Sequence, residues 1–245
     1  MASLGMAAML YGATVVLVAA LLLRLWLYFR TPVPLRIPIM PAPLTQAGVV
    51  GRMALDVGLF RSLFKADKWL WAFGFAFHLA LAAVLLRHLR YFVDPVPVVL
   101  VWLQPVGVVA GLLMLGALAL LAARRLVMAR LRVISAASDH LMLVLLAAIA
   151  ASGLAMKFLV GTDIVAVKSF ILGLLHGRIE PLPADPLLLC HLTLVAVLMV
   201  VFPFSKLLHA VGVFFAPSRN QADDSRKRRH RGCAGRAALR RATGE

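Results

Sequence analysis

Charged residues and cysteines are both scarce in this chain. Of its 245 residues only 15% are charged, against 62% that are hydrophobic, whereas about half of the residues of a soluble domain are apolar. The two cysteines, Cys190 and Cys233, are too few and too far apart for a disulfide framework or a thiolate metal site. The composition therefore predicts an integral membrane protein without a cysteine-based centre.

Acidic residues are few relative to basic ones. The chain has 10 Asp and Glu against 26 Lys and Arg, a formal net charge of +16. Such an excess can indicate nucleic-acid binding, but here the basic residues lie between and after apolar runs and are not interleaved with exposed aromatic residues. We therefore expect no nucleic-acid partner, and interpret the basic residues as topology signals and as contacts for anionic membrane lipid.

Long apolar runs predict membrane-spanning helices, because about 20 apolar residues cover the hydrocarbon core and open strands would leave backbone groups unpaired in lipid. The expected fold class is an all-α integral membrane protein, with a five-helix membrane domain over 1–216 and a basic, disordered tail over 217–245. The first run is too long, and lacks the basic flank, for a cleaved signal peptide. The five expected transmembrane helices cover residues 7–29, 69–93, 98–123, 141–160 and 187–215.

Lys and Arg are concentrated in the first loop, the third loop and the tail, which favours a cytoplasmic location for these segments. The N-terminus is thus expected outside and the C-terminus in the cytoplasm of a bacterial cytoplasmic (inner) membrane; Arg87 and Arg90 lie on the outer side against this trend. The proline-rich segment 31–43 cannot be helical. Apolar spacing in 45–65 predicts an interfacial helix or a docking surface for a cytoplasmic partner, with a solvated linker as the alternative. A short amphipathic helix is expected within 162–176.

Four histidines lie inside apolar runs, where an imidazole is expensive to dehydrate. His78 and His88 lie in the second run, and His191 and His209 lie in the fifth, eighteen residues apart and hence on one face of a continuous helix. Because the two runs are antiparallel, we expect His78 opposite His209 and His88 opposite His191. Two imidazoles facing each other across apolar helices form a bis-histidine haem site, whose filled axial positions leave electron transfer as its chemistry.

The spacing of the two pairs is unequal. Ten residues rise about 15 Å and eighteen about 27 Å along a helix, so tilted helices or inclined haems must absorb the difference. Zinc is disfavoured because no group of ligands converges in the sequence. The remaining alternative is that these histidines only bond polar groups between helices.

The histidine pattern and the string HLTLVAVLMVVFPFSKLLH resemble the gamma subunit of respiratory nitrate reductase and its di-haem cytochrome b relatives. From about residue 41 to 224 the chain is similar to one branch of that family, the membrane cytochrome b of the sulfite-reduction-associated electron-transfer complex. The strings that carry this similarity are RSLFKADKWLW, FHLALAAVLLRHLRYFVDPVP, ASDHLMLVLL and FFAPSRNQAD. The resemblance implies five spans, an outside N-terminus and two b haems, with His78, His88, His191 and His209 as ligands of the haem iron.

The resemblance also implies partners. Electrons would pass between the quinone or menaquinone pool, beside the outer haem, and a cytoplasmic iron–sulfur subunit related to heterodisulfide reductases, in dissimilatory sulfur metabolism. A periplasmic multihaem cytochrome c and further membrane subunits would accompany it, and the chain itself would contribute no catalytic residue. The alternatives are the gamma subunit of a respiratory nitrate reductase and a haem-free membrane anchor or transporter.

Six further residues are candidates for contacts with these cofactors. Arg124, Arg125 and Arg130 lie at the inner surface, where they are candidates for binding haem propionates; anchoring of the membrane topology explains them equally well. The quinone-site candidates are Arg87, Gln104 and Lys157. The nitrate reductase branch has a lysine associated with quinone binding near the start of the third span, and Gln104 is the nearest polar residue here. The quinone site of that branch therefore carries over only loosely. For the two cations, snorkelling to the headgroups is the alternative.

Overall fold

The computed structural model describes residues 1–32 and 37–224 of the chain. In chain order the α-helices of these residues are α1 (Ala2–Arg30), α2 (Gln46–Gly58), α3 (Arg61–Ala66), α4 (Lys68–His88), α5 (Val98–Val127), α6 (Ala129–Ile134), α7 (Ala137–Ala155), α8 (Ile164–Leu175), α9 (Pro186–Val201), α10 (His209–Phe215) and α11 (Pro217–Asn220). Within the described residues every regular element is helical. Five helices, α1, α4, α5, α7 and α9, are long and apolar enough to cross a membrane. The predicted all-α membrane fold is thereby confirmed.

Several helices begin at an oxygen-bearing side chain. Thr45 accepts a hydrogen bond from an amide at the start of α2, and Asp67, Asp163 and Asp185 do the same for α4, α8 and α9. Such a cap satisfies amide groups that lack a helical acceptor. Three of the few acidic residues of the chain therefore serve to start helices.

The spanning helices pack as successive neighbours. α4 packs against α5, α5 against α7, α7 against α9, and α9 against α1. One apolar cluster, including Phe77 and Leu118, joins α4, α5 and α7, and another surrounds the fully buried Phe170 where α8 meets α1 and α9. Among the described residues α4 and α9, which carry three of the four intramembrane histidines, are not a closely packed pair.

The outer surface of the bundle is covered by large apolar side chains. Leu22 is 61% exposed, Trp102 78% and Leu159 81%. A surface of this kind is unfavourable in water and suits contact with lipid. Helices in lipid are held together by van der Waals packing and hydrogen bonds between them. The chain is therefore a multi-pass membrane protein.

The fifth span departs from the continuous helix expected over 187–215. α9 ends at Val201, and two 3₁₀ turns, Phe202–Phe204 and Lys206–Leu208, precede α10. Pro203 lacks an amide hydrogen, and Ser205 has extended backbone angles, φ −102° and ψ 171°. His191 and His209 therefore lie on different helices, and the expected single helical face does not hold.

The segment 45–65 contains α2 and most of α3, in agreement with its helical spacing. The two helices are separated at Phe60, whose φ of +53° lies in the left-handed region. A bulky residue seldom adopts that region. The short helix expected within 162–176 is present as α8.

The first part of the tail is folded onto the first loop. The Ile39 amide donates to the Ser218 carbonyl at 2.9 Å, and the Asp223 amide donates to the Pro43 carbonyl at 2.9 Å. These two backbone bonds join Ser218 and Asp223 to the first loop. Residues 225–245 of the expected disordered tail, and 33–36 of the proline-rich segment, lie outside the described residues.

Candidate functional site

His78 and His209 lie next to each other. Their ring centres are 6.0 Å apart and the ring planes meet at 82°. His78 is half-buried within α4, whereas His209 is exposed at the start of α10. The interruption after Val201 thus leaves His209 beside α4, and the structure brings together the first of the two expected pairs.

Three of the intramembrane histidines are held by backbone carbonyls through Nδ1. The distances from Nδ1 are 2.7 Å to Gly74 O for His78, 2.7 Å to Val84 O for His88, and 2.8 Å to Lys206 O for His209. A carbonyl oxygen only accepts, so Nδ1 of each neutral ring carries the proton. The lone pair is then on Nε2, which is available to bind a metal.

His191 is held in the same tautomer, with the proton on Nδ1, by a side chain. Its Nδ1 lies 2.9 Å from the hydroxyl of Ser152, and that hydroxyl donates its proton to the Ile149 carbonyl at 3.0 Å. The hydroxyl oxygen therefore accepts the Nδ1 hydrogen of His191, which again leaves Nε2 free. The ring is only 9% exposed. It packs on α7 at Gly153, where an added Cβ would lie 3.4 Å from the imidazole Cε1.

His88 and His191 lie at the same end of the bundle. The Tyr91 ring centre is 5.9 Å from that of His88, and Tyr91 packs against the apolar cluster that includes Leu188 and Leu192 on either side of His191. The structure thus places the second expected pair at a common end, where Tyr91, in the turn after α4, packs against the apolar cluster that α9 joins.

A polar group follows His88 in the turn after α4. The Arg90 guanidinium lies over the Tyr91 ring at 5.6 Å from its centre, and its Nη1 donates to Gln104 Oε1 of α5. The Nε of Arg90 is buried without a hydrogen-bond partner. Arg90 was not among the candidate contacts, although its position against the Lys and Arg distribution was a signal.

Two of the three candidate propionate-binding arginines are engaged by aspartates. Arg124 lies 2.5 Å from Asp67, and Arg125 lies 3.5 Å from Asp139. The amide hydrogen of Leu70, together with the Arg124 guanidinium, holds the pKa of Asp67 below its usual value. Arg130 is exposed in α6. These ion pairs give Arg124 and Arg125 a role in joining helices.

The quinone-site candidates fall into two places. Arg87 crosses α5 at Gly107, where any side chain would overlap it, and Gln104 bonds Arg90 at the same helix contact. Lys157 is exposed in a π-helical turn, Met156–Val160, after α7. Arg87 and Gln104 therefore belong to the α4–α5 contact, and Lys157 belongs to the end of α7.

An open cavity of about 770 Å³ lies between the turn after α4 and α8. It is lined by polar residues that include Asp94, His176 and Arg178, and by none of the four intramembrane histidines. His176 also has Nδ1 bonded to a carbonyl, that of Leu172 at 2.7 Å, but it is exposed just past the end of α8. Anchoring of Nδ1 alone thus does not distinguish these histidines from His176. His78, His88 and His191 differ from it by their location in spanning helices, and His209 by its contact with His78.

Histidines lie on α4 and on the α9–α10 segment of this bundle of spanning helices. This arrangement is typical of membrane proteins that hold a cofactor between their helices. Residues 61–220 match the family model described as nitrate reductase gamma subunit, and the chain belongs to that family. The family resemblance inferred from the histidine pattern is thereby confirmed.

Two curated relatives carry the name Hdr-like menaquinol oxidoreductase cytochrome b-like subunit. The one from Archaeoglobus fulgidus is 36% identical over 265 residues, covering 90% of this chain and 80% of the relative. The one from Archaeoglobus profundus is 34% identical over 251 residues, covering 82% of this chain and 74% of the relative. No solved structure matches the chain.

Proposed function

We propose that this chain is the membrane cytochrome b subunit of an oxidoreductase complex, and that it carries electrons between the menaquinol or quinone pool and a cytoplasmic iron–sulfur subunit of the heterodisulfide reductase type. The observation that carries the proposal is the placement of the four intramembrane histidines, each with Nδ1 held and Nε2 free. The printed names of the two relatives support the quinol and the complex.

The histidine geometry fits a haem at the His78/His209 end. Two metal–nitrogen bonds of about 2 Å each, with the half-widths of two imidazoles, require ring centres about 6 Å apart, and the observed separation is 6.0 Å. The described residues contain no group of three or more His, Cys, Asp and Glu that could hold a metal. A haem needs only two axial protein ligands, because its porphyrin supplies the other donors.

We assign a second b haem to His88 and His191. Both residues have Nδ1 bonded, both lie at the same end of the bundle, and the Gly153 surface lets the His191 ring lie close to α7. A bound haem would supply a one-electron carrier. The chain's own part is to fix the rings, to exclude water with apolar helices and to offer no open position to a substrate.

The exposure of the two ends suggests how the chain is oriented in the membrane. His209 is exposed and lies near the Lys- and Arg-rich segments, so we place this end in the cytoplasmic half, beside the iron–sulfur partner. The N-terminus is then outside, the C-terminus is cytoplasmic, and the quinone site lies at the His88/His191 end. We place the chain in a prokaryotic cytoplasmic membrane; a bacterial one stays a prediction, since both relatives are archaeal.

We further propose a role in dissimilatory sulfur metabolism, with a periplasmic multihaem cytochrome c and further membrane subunits as partners. The branch resemblance of strings such as FHLALAAVLLRHLRYFVDPVP supports this. The match of residues 61–220 to the nitrate reductase gamma subunit family favours the second candidate, a nitrate reductase subunit. Co-purification of an iron–sulfur subunit of the heterodisulfide reductase type, or of a molybdenum enzyme, separates the two.

The proposal is tested by a reduced-minus-oxidised visible spectrum of the purified chain, with haem quantified per polypeptide. We expect two low-spin b haems. His78→Ala and His209→Ala should each remove the same one, while His88→Ala and His191→Ala remove the other. His176→Ala is the matched control, because its Nδ1 is anchored in the same way outside the spans, and it should retain both haems.

The other outcomes decide between the alternatives. Loss of different haems in His78→Ala and His209→Ala would overturn the pairing and leave the cytochrome assignment intact. A wild-type chain without haem would overturn the proposed function and leave a membrane anchor.

A further inference from the structure

Arg90 is a cation without a carboxylate partner among the residues that the structure describes. Its Nε is buried and has no hydrogen-bond partner, and its Nη1 is used by the neutral amide of Gln104. No carboxylate of the described residues forms an ion pair with Arg90. Burying the Nε–H of a charged guanidinium without an acceptor is costly unless a partner satisfies it.

Some other cations of the described residues have carboxylate partners within the chain. Arg124 pairs with Asp67, Lys206 with Asp139, Arg219 with Asp56 and Lys168 with Asp94. Several of the few aspartates of the chain thus pair with other cations, and none of those in the described residues pairs with Arg90. A bound anionic group would supply the partner that Arg90 lacks.

The free edge of the guanidinium indicates what that group is. With Nη1 directed to Gln104, the Nε–Nη2 edge remains, and its two parallel N–H groups match the two oxygens of a carboxylate. A quinone carbonyl is neutral and would leave the charge of Arg90 uncompensated. An anionic carboxylate satisfies both the unbonded Nε–H and the charge.

We propose that Arg90, oriented by Gln104, binds a propionate carboxylate of the haem held by His88 and His191. Tyr91 links the two places, since its ring lies 5.9 Å from the His88 ring and beneath the Arg90 guanidinium. This inference rests on the proposed function, because it requires a haem at that end. It differs from the sequence expectation, which assigned propionates to Arg124, Arg125 and Arg130 and assigned Gln104 to a quinone.

The test is a redox titration of both haems in the full chain, for wild type, Arg90→Gln and Arg90→Lys. Without the guanidinium, an ionised propionate stays uncompensated and favours the oxidised haem. We expect Arg90→Gln to lower the midpoint potential of the His88/His191 haem by about a tenfold change in the reduced-to-oxidised ratio, 59 mV for a one-electron couple. The His78/His209 haem should keep its potential, and Arg90→Lys, which retains the charge, should shift the first haem less.

Arg178→Gln is the matched control. Arg178 is exposed and lines the cavity that also contains Asp94, so it removes the same charge from the same end without touching a buried contact. It should leave both potentials unchanged. Infrared difference spectra with haem labelled by ¹³C at the propionates add a direct readout, in which Arg90→Gln should move a labelled carboxylate band.

Each contrary result has its own meaning. Equal shifts in Arg90→Gln and Arg90→Lys, or no shift and no movement of the labelled band, would overturn the propionate assignment while two haems remain in place. Weaker binding of a water-soluble naphthoquinol with unchanged potentials would instead overturn it in favour of a quinone contact. Absence of haem from the wild type would show that the proposed function itself had failed.

Discussion

The two histidine ends of the bundle differ in exposure and in how their charges are balanced. At the His78/His209 end one ring is exposed, and nearby cations such as Arg124 and Lys206 are paired with aspartates. At the His88/His191 end one ring is 9% exposed, and Arg90 has no carboxylate partner among the described residues. At the first end the cations nearest the histidines have carboxylate partners within the chain, whereas at the second end we propose that a bound group supplies the partner of Arg90.

The rings are also anchored differently at the two ends. His78 and His209 bond backbone carbonyls, which no substitution removes, and so does His88. His191 alone among these four depends on a side chain, Ser152. The His88/His191 end is therefore the one at which substitution of a neighbouring side chain, Ser152, can affect a proposed haem ligand while the histidine itself is kept.

The largest effect that separates the two ends is expected from Ser152→Ala. It removes the acceptor that fixes the His191 tautomer and ring orientation, and loss of such a partner typically lowers metal affinity 10- to 100-fold. We expect weaker retention of the His88/His191 haem and normal retention of the other, measured by haem loss to apomyoglobin. Ser169→Ala, in α8, is the control. Equal loss of both haems would show that Ser152 acts on the fold as a whole.

The second effect concerns the paired charges. Asp139 is 8% exposed and binds Lys206 at 2.7 Å, Arg125 at 3.5 Å and the Ala136 amide at 3.2 Å. Asp139→Asn leaves these donors without a carboxylate and should lower the free energy of unfolding by about 1–3 kcal/mol, toward the lower value because Lys206 is mostly exposed. Thermal unfolding in detergent measures this change.

Asp94→Asn is the comparison at the opposite end. Asp94 pairs with Lys168 but is 66% exposed, so its loss should cost about 0–1 kcal/mol. Neither substitution should change the haem spectrum. If Asp94→Asn lowers the free energy of unfolding as much as Asp139→Asn, burial of the ion pair does not separate the two ends.

The sequence predicts the spans and the location of the four histidines because both depend on runs of neighbouring residues. The break after Val201 also had a local signal, Pro203, but membrane helices tolerate proline, so an apolar run with one proline reads as continuous. His209 nevertheless lies beside His78, by a route through two 3₁₀ turns rather than along one helix.

The supporting contacts were beyond sequence reasoning because they join distant residues. Ser152 and His191 are 39 positions apart, and Arg124 and Asp67 are 57 apart. Nothing in a lone serine or a basic loop shows which partner the fold supplies. Arg90 was visible as an arginine on the unexpected side, but its missing counter-charge is a property of three-dimensional packing only.

The smallest expected effect tests the aromatic side of the His78/His209 end. The Phe60 ring meets the His78 ring edge to face, 4.9 Å between centres, while its backbone has φ of +53°. A left-handed conformation costs about 1–2 kcal/mol for a residue with a Cβ, and an aromatic pair contributes about 0.5–1.5 kcal/mol. The turn therefore holds a strained residue whose ring lies on a proposed ligand, as strained residues at functional sites often do.

Two substitutions separate the strain from the ring. Phe60→Gly removes both, so the free energy of unfolding should change by less than about 1 kcal/mol, whereas Phe60→Leu keeps the strain, loses the ring and should destabilise by about 1 kcal/mol. Both should shift the potential of the His78/His209 haem alone, because both open the edge of His78 to solvent. A shift in neither haem would show that the ring serves only the turn between α2 and α3. The two ends would then differ in charge and exposure but not in how aromatic packing affects a proposed ligand.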